Sequence, residues 1–200
     1  MNKQSLIVIM TIIMAFSPYF LIAQNGDGSI NGFTHELTPE DFINPGETST
    51  RAVLSGPPGP PIRNIAEFEP MEGVIIAYPG DFGIPYSLIV ELSKDVIVTT
   101  IVRNASDESL VRSQYSSNNV VLNNCEFVQA PVNTYWTRDY GPFYIADNLN
   151  KISIVDALYS YSRPNDNAIP EKMSEVLGID CFFMDMAIQG GGIICPMVWK

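Results

Sequence analysis

Two-thirds of the way along the chain, the octet Tyr135-Trp-Thr-Arg-Asp-Tyr-Gly-Pro142 gathers the side chains best suited to chemistry. An adjacent Arg138-Asp139 pair follows Trp136 and is closed by the turn-forming Gly141-Pro142. That order sets a charge at the mouth of an aromatic wall. A carboxylate so placed can bind a planar guanidinium through two parallel hydrogen bonds while the indole stacks on its face. The octet is equally compatible with a structural salt bridge at a strand end, and its residues alone leave both readings open.

Other reactive side chains are few. His35, the chain's single histidine, lies in a Gly-, Asn-, Thr- and Pro-rich stretch where a solvated role is expected. Cys125 sits in an Asn-Asn-Cys-Glu-Phe context and Cys181 beside two phenylalanines, so both read as buried structural thiols. Whether they pair is left open, because spacing does not decide it. The 200 residues carry 11 Lys+Arg against 22 Asp+Glu, a formal charge of −11. Such a surface argues against nucleic acid, which selects basic proteins, and it suits a cationic substrate. With 46% apolar and 16% charged residues the chain can bury a core, which excludes disorder along its whole length.

The elements that must hold the octet follow from periodicity. Val74–Tyr78, closed by Pro79-Gly80, reads as a buried strand. Pro85 suits a first helical turn, and Leu88, Ile89 and Leu92 then share one helical face. Val96–Val102 is a second, β-branched strand. Asp107-Glu108 opens a helix to Gln114 with Leu110 and Val111 inward, and Asn118-Asn119 ends it. Val120–Leu122 and Phe127-Val128 are further strand candidates. Phe143–Ile145 and Ile152–Val155 flank the hairpin-like Asp147-Asn148. A helix from Ala168 to Leu177 is capped by Gly178, and Cys181–Met184 returns as strand. Strands alternating with single helices place the fold in the α/β or α+β class.

The N-terminus has the layout of a secretory signal peptide over residues 1–23. Lys3 precedes an apolar run from Leu6, and cleavage after Ala23 would export the protein, to a secreted or periplasmic location. An uncleaved anchor, the one route to a membrane, is the competing reading. Residues 24–61, ending in Ser55-Gly-Pro-Pro-Gly-Pro-Pro61, read as a linker or pro-segment, with the folded part starting near Ile62.

The octet, together with Glu67-Phe-Glu-Pro70, resembles the family of agmatine deiminases and Porphyromonas-type peptidylarginine deiminases. Phe82-Gly-Ile-Pro85, Tyr161-Ser-Arg-Pro-Asn-Asp166, Leu177-Gly-Ile179 and Gln189-Gly-Gly191 extend the similarity from about Pro61 to Gly191. The resemblance implies a hydrolase that converts a guanidinium to a ureido group and releases ammonia, without metal or organic cofactor. It also implies a five-bladed α/β propeller (pentein) built from ββαβ units, of which residues 62–191 would supply about two blades. In the family a cysteine thiolate attacks the guanidinium carbon, a histidine shuttles protons, and two carboxylates grip the guanidinium nitrogens. By position Asp139 is the first of those carboxylates and Trp136 part of the substrate wall. Arg163 matches an arginine that helps bind a peptide's C-terminal carboxylate. The second arginine expected two positions earlier is Tyr161 here. The substrate implied is therefore peptidyl-arginine or a related guanidino compound, with agmatine, converted to N-carbamoylputrescine, as the alternative.

The family's H-x-D segment and nucleophilic cysteine have no counterpart among these residues, so the 200-residue chain by itself is expected to be inactive. A non-catalytic remnant or binding module is the alternative. The tail Gly192-Ile-Ile-Cys-Pro-Met-Val-Trp-Lys200 departs from the family continuation, but one shifted reading frame of it can spell Asn-Tyr-Met-Ser-Asp-Gly-Met-Glu, which fits. Residues 192–200 are thus expected to be a frameshifted end.

Overall fold

The computed structural model describes residues 58–66 and 68–187, together with Pro39. The signal segment, most of the linker including His35, Glu67 and the 192–200 tail lie outside the described residues. Two sheets carry the fold.

The first is wholly parallel, with order β2-β3-β4, formed by Gly73–Tyr78 (β2), Ile97–Val102 (β3) and Cys125–Gln129 (β4). Helix α1, Tyr86–Asp95, links β2 to β3, and α2, Ala105–Ser117, links β3 to β4. The strands alternate as a pleat requires. Val74, Ile76, Tyr78, Val98, Val102 and Phe127 face the two helices, where Ile89, Val111 and Tyr115 complete one cluster. Ile75, Ala77, Ile101 and Val128 point the other way into a second cluster. Burial on both faces is the usual condition of a parallel sheet.

Helix α1 centres its buried stripe on Ile89, with Leu92 beside it. Leu88 is exposed, a correction explained by the 100° step between neighbours on a helix. Leu110 on α2 is likewise exposed while Val111 is buried. Helix α2 starts earlier than the acidic pair predicts, because the Asn104 side chain accepts from the amides of Ser106 and Asp107 at 2.9 and 3.0 Å. Val120–Leu122 is not a strand. The Val120 amide donates to Tyr115 O and closes the helix end, and Leu122–Asn124 makes a single 3₁₀ turn. Ser93 of α1 fixes that turn: its Oγ accepts from Val121 N at 3.0 Å and its carbonyl from Asn124 Nδ2 at 2.9 Å.

The second sheet is mixed, with order β1-β5-β6-β7: Ile62–Asn64 (β1), Phe143–Asp147 (β5), Ile152–Leu158 (β6) and Cys181–Ala187 (β7). β5 and β6 form the expected hairpin, where the Asp147 carboxylate accepts from Leu149 N and Lys151 N, each at 2.8 Å. Helix α5, Ile169–Leu177, carries the chain over to β7, which runs parallel to β6. It ends at Gly178, whose φ of 65° is the left-handed conformation of a helix stop. The β5–β6–α5–β7 order is ββαβ, whereas β2–β4 with its two helices is βαβαβ, so the first sheet does not repeat that unit. Tyr144, Ile154, Cys181 and α5's Ile169 and Met173 join the second cluster, so the two sheets share one core.

Candidate functional site

The octet lies on the connection from β4 to β5, against the shared core. After Trp136 the chain makes one helical turn, α3 (Thr137–Tyr140). Thr137 Oγ1 donates to Ile75 O at 3.3 Å, which pins the turn to the middle of β2. Tyr140 is buried in the core and its hydroxyl donates to Thr134 O at 3.1 Å. The turn divides the adjacent charges: Arg138 is exposed, and Asp139 is 4% exposed. Asp139 is therefore withdrawn from solvent while Arg138 faces it, because a single helical turn rotates neighbouring side chains by about 100°. The Phe82–Pro85 loop backs the octet. Gly83 has a φ of 62°, and a Cβ there would stand 2.4 Å from the Tyr135 ring, so only glycine allows this approach.

Arg163 comes to the same place from the β6–α5 connection. It precedes a second single turn, α4 (Pro164–Asn167), and is 1% exposed. Its Cζ lies 5.0 Å from the Trp136 ring centroid and 5.1 Å from that of Tyr159. Its Nη1 donates to the Tyr159 hydroxyl. The structure thus brings together all three residues singled out from the sequence, Trp136, Asp139 and Arg163. Asp139 acts electrostatically on both Tyr140 and Tyr159. Burial, reinforced by neighbouring carboxylates, raises both phenols above the ordinary tyrosine value, so they remain protonated donors.

Two further residues hold the site: Asp166, which closes a quoted motif but had no role there, and Asn167, which the sequence reading passed over. Asp166, 0% exposed, accepts from Asn133 N (2.7 Å), Thr134 N (3.1 Å) and Thr134 Oγ1 (2.8 Å). Asn133 Oδ1 in turn accepts from Asn165 N at 3.1 Å. The loop that carries Trp136 is thereby locked to the turn that follows Arg163. Asn167 does the same for the other wall: its Oδ1 accepts from Tyr159 N (2.9 Å) and Ser160 N (3.1 Å). Burial raises the Asp166 carboxyl to about 6, against the lowering effect of its Thr134 and Asn133 hydrogen bonds and of Arg163. The sequence signal for both residues is the Pro-Asn-Asp-Asn run, a turn-forming composition whose side chains bond to nearby backbone.

The thiols stand apart from this centre. Cys181 is buried in β7 and Cys125 is half-buried in β4 on the other sheet; neither forms a disulfide. Burial raises the Cys125 thiol above its usual value, although Arg112 opposes this, so it is not an activated nucleophile. Among the described residues no group of three His, Cys, Asp or Glu side chains comes together to hold a metal. No helix among them is long and apolar enough to cross a membrane. A cavity of about 240 Å³ lies on the opposite face of the four-stranded sheet, against Ile62, Ile145, Ser153 and Phe182, away from Trp136 and Asp139.

Comparison with known proteins bears on the fold and the family. A structure of C. jejuni agmatine deiminase superposes with a TM-score of 0.52 at 21% identity, over 65% of this chain and 41% of that one. A cysteine-to-serine variant of the C. jejuni enzyme with substrate bound gives 0.53 at 22%, over 65% and 41%. Agmatine deiminase of Enterococcus faecalis gives 0.50 at 20%, over 65% and 40%. These likenesses establish the α/β fold with its mixed sheet, and the chain spans about two-fifths of the length of these enzymes. Residues 63–195, which include every element from Trp136 to Asn167, match the model of the Porphyromonas-type peptidyl-arginine deiminases. The chain belongs to the Porphyromonas-type peptidyl-arginine deiminase family.

Proposed function

We propose that this chain is the substrate-gripping N-terminal part of an exported guanidino-group hydrolase. It would convert peptidyl-arginine to citrulline, or agmatine to N-carbamoylputrescine, with release of ammonia. The observation that carries the reading is the convergence of a buried carboxylate, Asp139, with Trp136 and Arg163, from two connections more than twenty residues apart, inside the family match. Asp139 would hold the substrate guanidinium nitrogens through paired charge-assisted hydrogen bonds, and Trp136 would cover its face. Arg163 would meet a substrate carboxylate after leaving the two rings it packs on. The β5–β6–α5–β7 unit has the strand and helix order of a propeller blade. Export rests on the apolar run from Leu6 and the small residue at Ala23.

The attacking thiolate and the general base are assigned to residues outside this sequence, since its one histidine is His35 and burial disfavours the Cys125 thiolate. Titrating the 200-residue chain with agmatine and with a peptide ending in arginine, followed by NMR, tests the grip. Asp139→Asn should weaken binding at least about tenfold, the scale of one charge-assisted hydrogen bond. Equal binding by the variant rejects the role of Asp139, and no binding of either compound rejects the substrate class. Citrulline and N-carbamoylputrescine assays on the same chain should show no turnover. Measurable turnover would overturn the assignment of nucleophile and base.

A further inference from the structure

The side chain of Arg163 is itself a guanidinium, and its surroundings are those expected of a site for one. The Trp136 and Tyr159 rings both lie within the roughly 6 Å over which a cation is attracted to an aromatic face. Tyr159 Oη accepts from Nη1. At 1% exposure this cation is withdrawn from water, where such attractions are strongest. Arginine suits the place because its planar ion is weakly hydrated and offers donors along its edge.

The walls are also fixed independently of their occupant. The Asp166 and Asn133 hydrogen bonds hold the loop leading to Trp136, and the Asn167 amide holds the backbone of Tyr159 and Ser160. None of those bonds involves the Arg163 guanidinium, so the walls have partners of their own when it is gone. Asp166, three residues beyond Arg163, adds an attraction for any cation held there.

We propose that Trp136 and Tyr159 form a preorganised guanidinium cage whose resident occupant is the chain's own Arg163, and that a free guanidinium or monoalkylguanidinium ion takes its place when that side chain is removed. The cage holds a ligand class without chemistry, and it stands on this geometry whether or not the family's reaction is performed. An alkylguanidinium using this face of Trp136 competes with Arg163 for it.

The test is chemical rescue in the full 200-residue chain. Arg163→Ala is made in a Trp199→Phe background, so that Trp136 is the one indole. Guanidinium chloride is added at 0–20 mM, far below denaturing concentrations, against sodium chloride of equal ionic strength and against urea, which is planar but uncharged. The variant should show a saturable rise in Tm and a saturable change in Trp136 emission. Half of each effect should fall at roughly 1–10 mM, the range a four-atom ligand can reach. The chain that keeps Arg163 should show neither change. No saturable effect in the variant, or an equal effect from sodium chloride or urea, overturns the cage. If Arg163→Ala fails to fold, NMR of the unaltered chain decides. One arginine side chain should be shifted upfield by the two rings and return toward the common arginine position in Trp136→Leu. Absence of a shifted arginine overturns the proposal.

Discussion

Replacing Asp166 with asparagine should remove a pH-dependent part of the stability. Its carboxyl is 0% exposed, and burial raises it from 3.8 to about 6 despite three hydrogen bonds and the neighbouring Arg163. The folded value lies above the unfolded one, so the folded state binds the proton more tightly. Stability therefore rises as pH falls through 6, and the gain is complete only below the unfolded value of 3.8, near pH 3. A difference of about 2 units corresponds to about 3 kcal/mol in full, of which about 2 kcal/mol is reached by pH 4.5. Glu69 and Glu108 act in the opposite sense. Hydrogen bonds from Ala66 and Arg63 lower the first, and those from Gln129 and Arg112 lower the second. Their loss begins near the ordinary glutamate value and is common to both chains, as are the contributions of the buried Asp139 and Asp156, so the difference between the two chains from pH 7.5 to 4.5 isolates Asp166. Asparagine can keep the clamp, its Oδ1 accepting from the Asn133 and Thr134 amides and its Nδ2 donating to Thr134 Oγ1. Urea unfolding across that window should show the unaltered chain gaining about 2 kcal/mol more than Asp166→Asn as pH falls. Parallel lines would refute the burial argument.

Further substitutions probe the supports of the site. Gly83→Ala forces a Cβ into the Tyr135 ring and should cost about 2–4 kcal/mol by urea midpoint. Gly178→Ala, with nothing within 4 Å of the added atom, should cost only the left-handed strain of about 1 kcal/mol; equal losses would show that the ring contact is not what matters. Thr100→Val leaves the Tyr115 hydroxyl, 2.7 Å from Thr100 Oγ1, buried without that partner and should lower stability by about 1–3 kcal/mol, read from thermal unfolding. Asn104→Ala removes the cap of α2 and should cost about 1 kcal/mol, checked by helix-region circular dichroism on melting.

What could be read from the sequence was local. The apolar runs of β2 and β3, the helical stretch of α5 and its Gly178 stop each occupy one continuous stretch, and the octet's chemistry is written in eight consecutive residues. What escaped was short or distant. β1 is Ile-Arg-Asn, too brief and polar to show a period, and it becomes a strand only because β5 offers it an edge. The single turns α3 and α4 fall below the length at which helices announce themselves. Val120 looked like the start of a strand because burial at a helix end and burial in a sheet select the same residue type. Asp166 and Asn167 could be given roles only after the fold brought residues 133 and 159 to the same turn.

The pairing of β1 with β5 bears on the order in which the protein forms. Ile62 meets Asp147 across 84 residues of intervening chain, and the entire β2–β4 sheet lies inside that loop. The parallel sheet, with its two helices, is contiguous in sequence from 73 to 129 and can assemble as synthesis proceeds. The β1–β5 contact must wait for the hairpin to emerge and then closes a loop already shortened by folding. A defect in the parallel sheet should therefore delay the mixed sheet, whereas a defect in β7 should leave the first sheet's assembly rate untouched.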